Sequence, residues 1–309
     1  MFVVGGEALF DVFAGAPSAD GLVLEARTGG SPFNVAIGLA RLGQASAFFG
    51  AISRDAFGNR LMSALADEGV DTGAVRRTDA PTTLSVVGLD DRGVPTYFFH
   101  GDHGADRDLP VAALASIPAQ ARVFHFGSYS LLVEPVASTL RALVESQCKR
   151  SLVAYDPNVR LNVEPQLDRW REVVAWMAAH THVLKASEED LALLFPGVDL
   201  QTLAGKWLDQ GAALIVVTRG GEGAVAWTRN ARVERPAKKV VVVDTVGAGD
   251  TFQAAMLAWL SEHDRLHPRA PAALEAGDLA ALLDFAVAAA AITCSRRGAQ
   301  LPRRSELPS

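Results

Sequence analysis

The stretch KKVVVVDTVGAGDTFQAAMLAWL (238–260) sets a run of β-branched residues against a glycine-rich turn and then a helical pattern. Four consecutive valines predict a buried strand, and FQAAMLAWL predicts a helix that starts at about Asp250. Between them Gly247, Ala248 and Gly249 are small enough for backbone amides to approach a ligand. The unpaired N–H groups of a first helical turn and the positive end of the helix dipole point at one place, which makes an anion site. Asp250 stands in that field, so its carboxylate is stabilised as the ion and can accept a proton. A carboxylate beside a phosphate cradle suits phosphoryl transfer, with the acid taking the proton of an attacking hydroxyl. An Asp capping a helix on a glycine turn would look the same and needs no chemistry.

Other nucleotide motifs are excluded by inspection. No GK[ST] tripeptide follows a glycine loop, so there is no P-loop. The near match to a dinucleotide fingerprint, GEGAVA (221–226), continues as AVAWTRNARVE, which alternates like a hairpin and starts no helix to meet a pyrophosphate. The HRD and DFG signatures of protein kinases are missing too.

Outward from that turn, short β-branched runs alternate with segments of helical period. FVVGGE precedes PFNVAIGLARLG, RVFHFGS precedes EPVASTLRALVES, SLVAYDP precedes DRWREVVAWMAAH, and THVLKAS precedes EEDLALLF, with ALIVVT closing the series. Parallel strands need crossover helices, so the alternation predicts an α/β protein with a mostly parallel sheet and helices on its faces. Two stretches break the pattern: LFDVFAG with LVLEART (9–28), and TLSVVGLDDRGVPTYFFHGD (83–102), whose strands flank the turn DDRG. They predict a small β-sheet that covers the main layer. No Pro/Gly/Ser linker separates the regions, so the expectation is one domain over 1–309 with lid insertions at about 9–28 and 81–102. The segment 262–277 is expected to be a surface connection, RRSELPS a solvated tail, and Trp170 and Trp176 core residues of a crossover helix.

At 49% hydrophobic and 21% charged residues the chain can bury a large core, and its net charge of −6 argues against nucleic-acid or anionic-membrane partners. A small ligand fits better. Cys148 and Cys294 are far apart with no CxxC or Cys/His cluster, so they read as core thiols. The first residues lack a signal-peptide pattern, and no apolar run reaches membrane-spanning length, which places the protein in the cytoplasm.

With those residues in view, the chain resembles the ribokinase-like family, also called the PfkB carbohydrate kinases. GGSPFNVAIGLARLG (29–43) is similar to its first signature and DTVGAGDTFQAAML (244–257) to its second, in the right order and roughly 200 residues apart. Within the family, GEALFD (6–11), PTTLSVVGLDDRGVPTYFF (81–99), Ala105-Asp106, DPNVR (156–160) and TRGGEG (218–223) look most like bacterial fructokinases. CSRRGAQLP (294–302) is similar to the closing segment of many members.

The resemblance implies a doubly wound α/β domain and a small β-lid that closes over a sugar. It implies ATP and magnesium, and potassium as a monovalent cation. Asp250 would be the general base, with Gly247, Ala248 and Gly249 as the anion hole. Asp11, Gly30 and Asn34 would bind the sugar, with Arg160 as a cationic clamp. By sequence alone Asn34 reads equally as a helix-start amide, Asp11 as a turn acid and Arg160 as a surface arginine. Thr218, Gly220 and Gly223 would bind nucleotide. The family's Asn-x-x-Glu is replaced here by Ser187-Glu188-Glu189-Asp190, so Ser187 and Asp190 are left to hold a hydrated metal. Asp156 is expected to orient a strand end or a hydrated metal. Asp244 and the carbonyls of Val246, Thr293 and Gly298 correspond to the monovalent-cation site. His100, His103 and Arg107 follow the lid hairpin and read as polar loop residues.

The implied activity is transfer of the γ-phosphate of ATP to a primary hydroxyl of a free hexose, fructose at its 6-position before others. Ribose, 2-keto-3-deoxygluconate and nucleosides are the alternatives within the family. Ser31-Pro32 stands where ribokinases often have a lysine, which weighs against ribose, whereas an acid sugar would use Arg160. A non-catalytic sugar sensor would have lost the base or its glycines, and both are intact. An exposed lid sheet could pair across a homodimer.

Overall fold

Strand β1 (Phe2–Gly5) sends Phe2 and Val4 to one face of the sheet and Val3 to the other, and all three are buried. A strand apolar on both faces needs helices on both, and the computed structural model, which describes residues 1–18, 20–89 and 95–308, supplies them. The next elements are β2 (Leu9–Ser18), β3 (Gly21–Gly29), α1 (Ser31–Arg41), β4 (Ser46–Phe49), β5 (Ala51–Ser53) and α2 (Ala56–Asp67). Short strands β6 (Arg76–Thr78), β7 (Leu84–Leu89) and β8 (Pro95–His100) follow. A regular alternation then begins with β9 (Val123–Gly127), α3 (Val136–Gln147), β10 (Leu152–Asp156), α4 (Leu167–Ala178) and β11 (Val183–Ser187). It continues through α5 (Glu188–Leu194), α6 (Leu200–Gln210) and β12 (Leu214–Thr218) to the hairpin β13 (Ala224–Trp227) and β14 (Arg232–Arg235). Helices α7 (Ala248–Glu262) and α8 (Ala276–Cys294) close the chain.

The main sheet has eight strands in the order β14-β13-β12-β11-β10-β9-β1-β4, parallel from β4 to β12 and antiparallel beyond. Helices α1, α7 and α8 pack on one face, and α3, α4 and α6 on the other. The register aligns Gly5, Phe126 and Tyr155 across β1, β9 and β10, so the strands end together and present their carboxyl ends as one rim.

A second sheet, ordered β3-β2-β7-β8, stands apart from the first. It pairs β2 with β7 in parallel and is otherwise antiparallel. Its strands fall at the two stretches that broke the helical alternation, and the turn residues 90–93 lie outside the described residues. Phe10 of β2 meets Phe57 of α2 edge to face at 5.1 Å, which ties this sheet to the main body.

Five expectations are corrected. The valine run 240–243 belongs to no strand among the described residues: it follows β14, the last strand in chain order, outside any ladder and with Val241 83% exposed. Its backbone is pinned to the end of α8, where Cys294 O accepts from Val243 N (2.8 Å) and Asp244 N (3.3 Å). Strand propensity needs a partner row of backbone groups, and among the described residues the run pairs with none. Helix α8 is, by length and composition, apolar enough to cross a membrane, yet Leu279, Leu282, Leu283 and Ala286 are buried in the core shared with α7. The carboxyl-terminal segment is not wholly solvated, because Leu307 packs into that core and Arg304 pairs with Glu262 at 2.8 Å. Cys148 and Cys294 are free and only half-buried. Trp170 is fully buried as expected, whereas Trp176 is part-exposed and stacks on His180 with ring centroids 4.4 Å apart.

These placements predict opposite responses to substitution. Leu307→Ala, which removes a buried side chain, should cost about 2–3 kcal/mol in urea unfolding. Val241→Thr should stay within about 0.5 kcal/mol of the parent. Equal losses would contradict the packing at both positions.

Candidate active site

Helix α7 starts in a left-handed turn. Gly247 has φ 77°, and a Cβ there would stand 2.6 Å from the Ala299 side chain, so only glycine fits. Ala248 N donates to Thr245 O at 3.2 Å, which leaves the amides of Gly249 and Asp250 as first-turn donors. A side chain on Gly249 would approach Lys185 Nζ to 3.2 Å, so the bare glycine makes room for an ammonium under the turn.

The Asp250 carboxylate is buried and gripped from α1. Its Oδ1 accepts from Ser31 Oγ at 2.6 Å and its Oδ2 from Asn34 Nδ2 at 2.8 Å. Burial raises its pKa above the ordinary carboxylate range, opposed by those two bonds and by Lys185, while Asp156 pushes the same way as burial. Helix α1 has no side-chain cap from its own Gly30, whose φ of 105° places it within 2.6 Å of Glu7 O were a Cβ added. Glu7, at the end of β1, serves instead: its Oε1 accepts from Ser31 N at 3.2 Å.

Around Asp250 the parallel strands contribute charge. Lys185 of β11 and Asp156 of β10 form a buried ion pair at 2.7 Å, and Asp156 Oδ1 has no partner among the described residues. Asp190 Oδ1 accepts from Val159 N at 3.2 Å, and its carboxyl is raised by burial and by Asp156. Ser187 is the cap of α5, accepting from Asp190 N at 3.0 Å. Asp11 faces the same space from β2; burial raises its carboxyl, Arg160 opposes this most, then Ser85, and Asp250 adds to it. Asn158 Nδ2 donates to Ser31 Oγ at 3.2 Å. His125, beneath the site on β9, is pushed down to about 3 by burial and then by Lys185, so it is neutral.

Sequence reasoning brings together Asp250, Gly247, Ala248, Gly249, Asp11, Gly30, Asn34 and Arg160, and all lie at this rim or on the small sheet above it. Thr218, Gly220 and Gly223 follow β12 on the same rim, with Thr218 in register with Ser187. A side chain on Gly223 would stand 2.0 Å from Arg235 O, so the hairpin by itself demands that glycine. Asp244 braces the glycine turn, accepting from Val246 N at 3.0 Å and from Gly298 N at 2.8 Å. The carbonyls of Thr293 and Gly298 already accept from Arg296 N and Gln300 N, at 3.0 and 2.7 Å. Each oxygen keeps a second lone pair, and this all-oxygen set suits a hard monovalent cation. Ser187, Asp190 and the unpartnered Asp156 Oδ1 are likewise hard donors that a hydrated divalent cation fits.

Lys185, Glu7, Asn158 and Ser31 were missed as site residues. A lysine inside the apolar run VLKAS is the signal that could have found the first, because lysine is almost never fully buried unless paired. Glu7 is 2% exposed and accepts from Ser130 Oγ. A second buried acid, Asp106, lies beside it and accepts from Tyr129 OH at 3.0 Å and from Thr83 Oγ1. His100 is the exposed last residue of β8, paired with Leu84 and so not in a loop as expected, whereas His103 lies exposed in the loop after it and Arg107 pairs with Asp102 at 3.4 Å.

Comparison with known proteins identifies the family and the fold. Residues 6–306 match the family described as pfkB family carbohydrate kinase. The chain is 35% identical over 275 residues to a fructokinase of Rhizobium leguminosarum bv. trifolii, covering 89% of this chain and 84% of that one. Its fold matches the crystal structure of a Xylella fastidiosa fructokinase with bound ATP, with a TM-score of 0.88, 29% identity, and coverage of 99% and 96%. It also matches a double-mutant fructokinase of Vibrio cholerae O395 in a fructose, ADP and potassium ion bound form, with a TM-score of 0.81, 27% identity, and coverage of 96% and 93%.

Glu7 makes the stability depend on pH. Burial pushes its carboxyl from the ordinary 4.5 up to about 7, against the bond from Ser130. Below pH 4.5 both folded and unfolded chains hold the proton; between 4.5 and 7 only the folded chain does, so stability falls as pH rises through that window. Glu7→Gln should remove this slope, gaining on the order of 3 kcal/mol relative to the parent between pH 4 and pH 8 in urea unfolding. A gap that stays constant with pH would refute the buried acid.

Proposed function

The chain belongs to the pfkB family of carbohydrate kinases, and from that membership we propose that it is a fructokinase. It is a phosphotransferase with a sugar hydroxyl as acceptor; the proposed reaction carries the γ-phosphate of ATP to the 6-hydroxyl of fructose. The observation that carries the reading is the buried Asp250 carboxylate at the first turn of α7, beside the first-turn amides of Gly249 and Asp250. Similarity to fructokinases, including one with bound ATP and one with fructose, ADP and potassium, supports the substrates.

In this mechanism Asp250 takes the proton of the sugar's primary hydroxyl as its oxygen attacks the γ-phosphorus and ADP leaves. The amides of the turn at Gly247 and Gly249 meet the charge spread over the transferred phosphoryl oxygens, and that of Ala248 joins them on releasing Thr245 O. Preorganised donors of this kind are worth on the order of 3 kcal/mol each. Asp11, Gly30 and Asn34 orient the sugar. Arg160 already feels Asp11 and Asp190, which favours a neutral sugar over an acid one. Thr218, Gly220 and Gly223 flank the nucleotide. Ser187 and Asp190 would hold hydrated magnesium, which neutralises phosphate charge when bound. Asp244, with the carbonyls of Val246, Thr293 and Gly298, would hold potassium and steady the turn.

The small sheet acts as a lid on a single kinase domain spanning 1–309, excluding water that would otherwise accept the phosphoryl group. Its edge strand β3 exposes Leu22, Val23 and Leu24 at 53–63%, which supports pairing of two copies through their lids. The buried α8 and the two free cysteines fit a cytoplasmic enzyme.

The first test is ADP release with magnesium and potassium against fructose, ribose, glucose, mannose, 2-keto-3-deoxygluconate, adenosine and fructose 6-phosphate. Fructose should give the highest kcat/KM; another winner would replace the substrate and keep the mechanism. Asp250→Asn should fold and bind ATP while losing several orders of magnitude in kcat, and near-parental turnover would remove Asp250 from the role of base.

A further inference from the structure

Among the described residues each oxygen of Asp250 has one donor. The bond from Asn34 comes from a residue also proposed to orient the sugar, so its amide is shared between two tasks. The bond from Ser31 is not shared in that way. An ionised carboxylate has no proton to give, so the single hydroxyl proton of Ser31 is committed to Asp250 Oδ1 at 2.6 Å. Ser31 Oγ must then be the acceptor for Asn158 Nδ2 at 3.2 Å. That orients the Asn158 amide, whose Oδ1 is buried with no partner among the described residues. Asn158 is held at φ 39°, a left-handed conformation that costs energy in a non-glycine residue and persists where surroundings impose it. The peptide nitrogen of Ser31 is fixed in turn by Glu7 Oε1 at 3.2 Å.

We propose that Ser31 is a positioning residue for phosphoryl transfer, its hydroxyl anchoring the Asp250 carboxylate and itself oriented by Asn158 and Glu7. The proposal rests on Asp250 being the base. As Asn34 turns to a sugar hydroxyl, Ser31 remains the tether that keeps the carboxylate aimed at the acceptor oxygen. Its bond favours the charged carboxylate. The other charged groups that face Asp250 are Lys185 of β11, Asp156 of β10 and Asp11 of β2, with Arg160 beside Asp11. Lys185 opposes the effect of burial and the two acids reinforce it, so loss of the Ser31 donor raises the proton affinity of Asp250 further.

The test is steady-state kinetics from pH 5 to 9 on the full chain, with ATP and the sugar preferred in the panel above. Ser31→Ala, Ser31→Thr and Asp250→Asn are compared with the parent, and thermal melts check folding. Ser31→Ala should lower kcat about tenfold and move the acid limb of kcat/KM up by about one pH unit, with KM for ATP within about twofold. Ser31→Thr, which keeps a hydroxyl, should restore both. A fall in rate with an unmoved acid limb would reduce Ser31 to a structural part and overturn the proposal. Parental kinetics in Ser31→Ala beside an inactive Asp250→Asn would overturn it while the base stands. An active Asp250→Asn would remove the base and this proposal together.

Discussion

A single buried ammonium allows carboxylates to gather at one end of the sheet. Lys185 pairs with Asp156 at 2.7 Å and also acts on Asp190 and Asp250. Removing three acids from water without a compensating cation would cost several kcal/mol for each that stayed ionised. With the lysine in the strand beneath the glycine turn, Asp250 has an ally for its charged form. The same ammonium helps keep His125 neutral, so it works both as a structural counter-ion and as a source of the local field.

The two helix starts meet over that lysine. Helix α7 brings Asp250, and α1 brings the hydroxyl and amide that hold it, 219 and 216 residues earlier in the chain. Each start depends on a glycine that a side chain would break, Gly247 against Ala299 and Gly30 against Glu7. Glu7 then closes the loop by capping α1 from the end of β1. Geometry at the site is therefore set by backbone elements that pack on the main sheet, which is how a rigid scaffold holds a catalytic group to fractions of an ångström.

The sheet and its helices were legible because parallel strands with helices on both faces read as unbroken apolar runs separated by helical period. β9 to β12 and their helices fall where that pattern puts them. Asp250 and the glycine turn were legible because positive φ and a helix start leave a local mark in the sequence. The valine run 240–243 misled, because strand propensity is local while a vacant partner edge is not. Ser31, Asn158 and Glu7 were illegible as site residues, since their roles depend on contacts made across the fold. The exposure of Trp176 and the docking of Leu307 were hidden for the same reason, as each is settled by a distant neighbour.

The exposed valines have a consequence for the chain in solution. Four β-branched residues outside any ladder form the kind of segment that pairs with copies of itself and seeds aggregation. Here the run is bounded by Lys238 and Lys239 on one side and Asp244 on the other, charges that oppose stacking of like segments. Asp244 also braces the glycine turn through Val246 and Gly298. One carboxylate thus serves both colloidal stability and the shape of the phosphate cradle, and drift at this position would be penalised in the soluble yield of the protein as well as in its turnover.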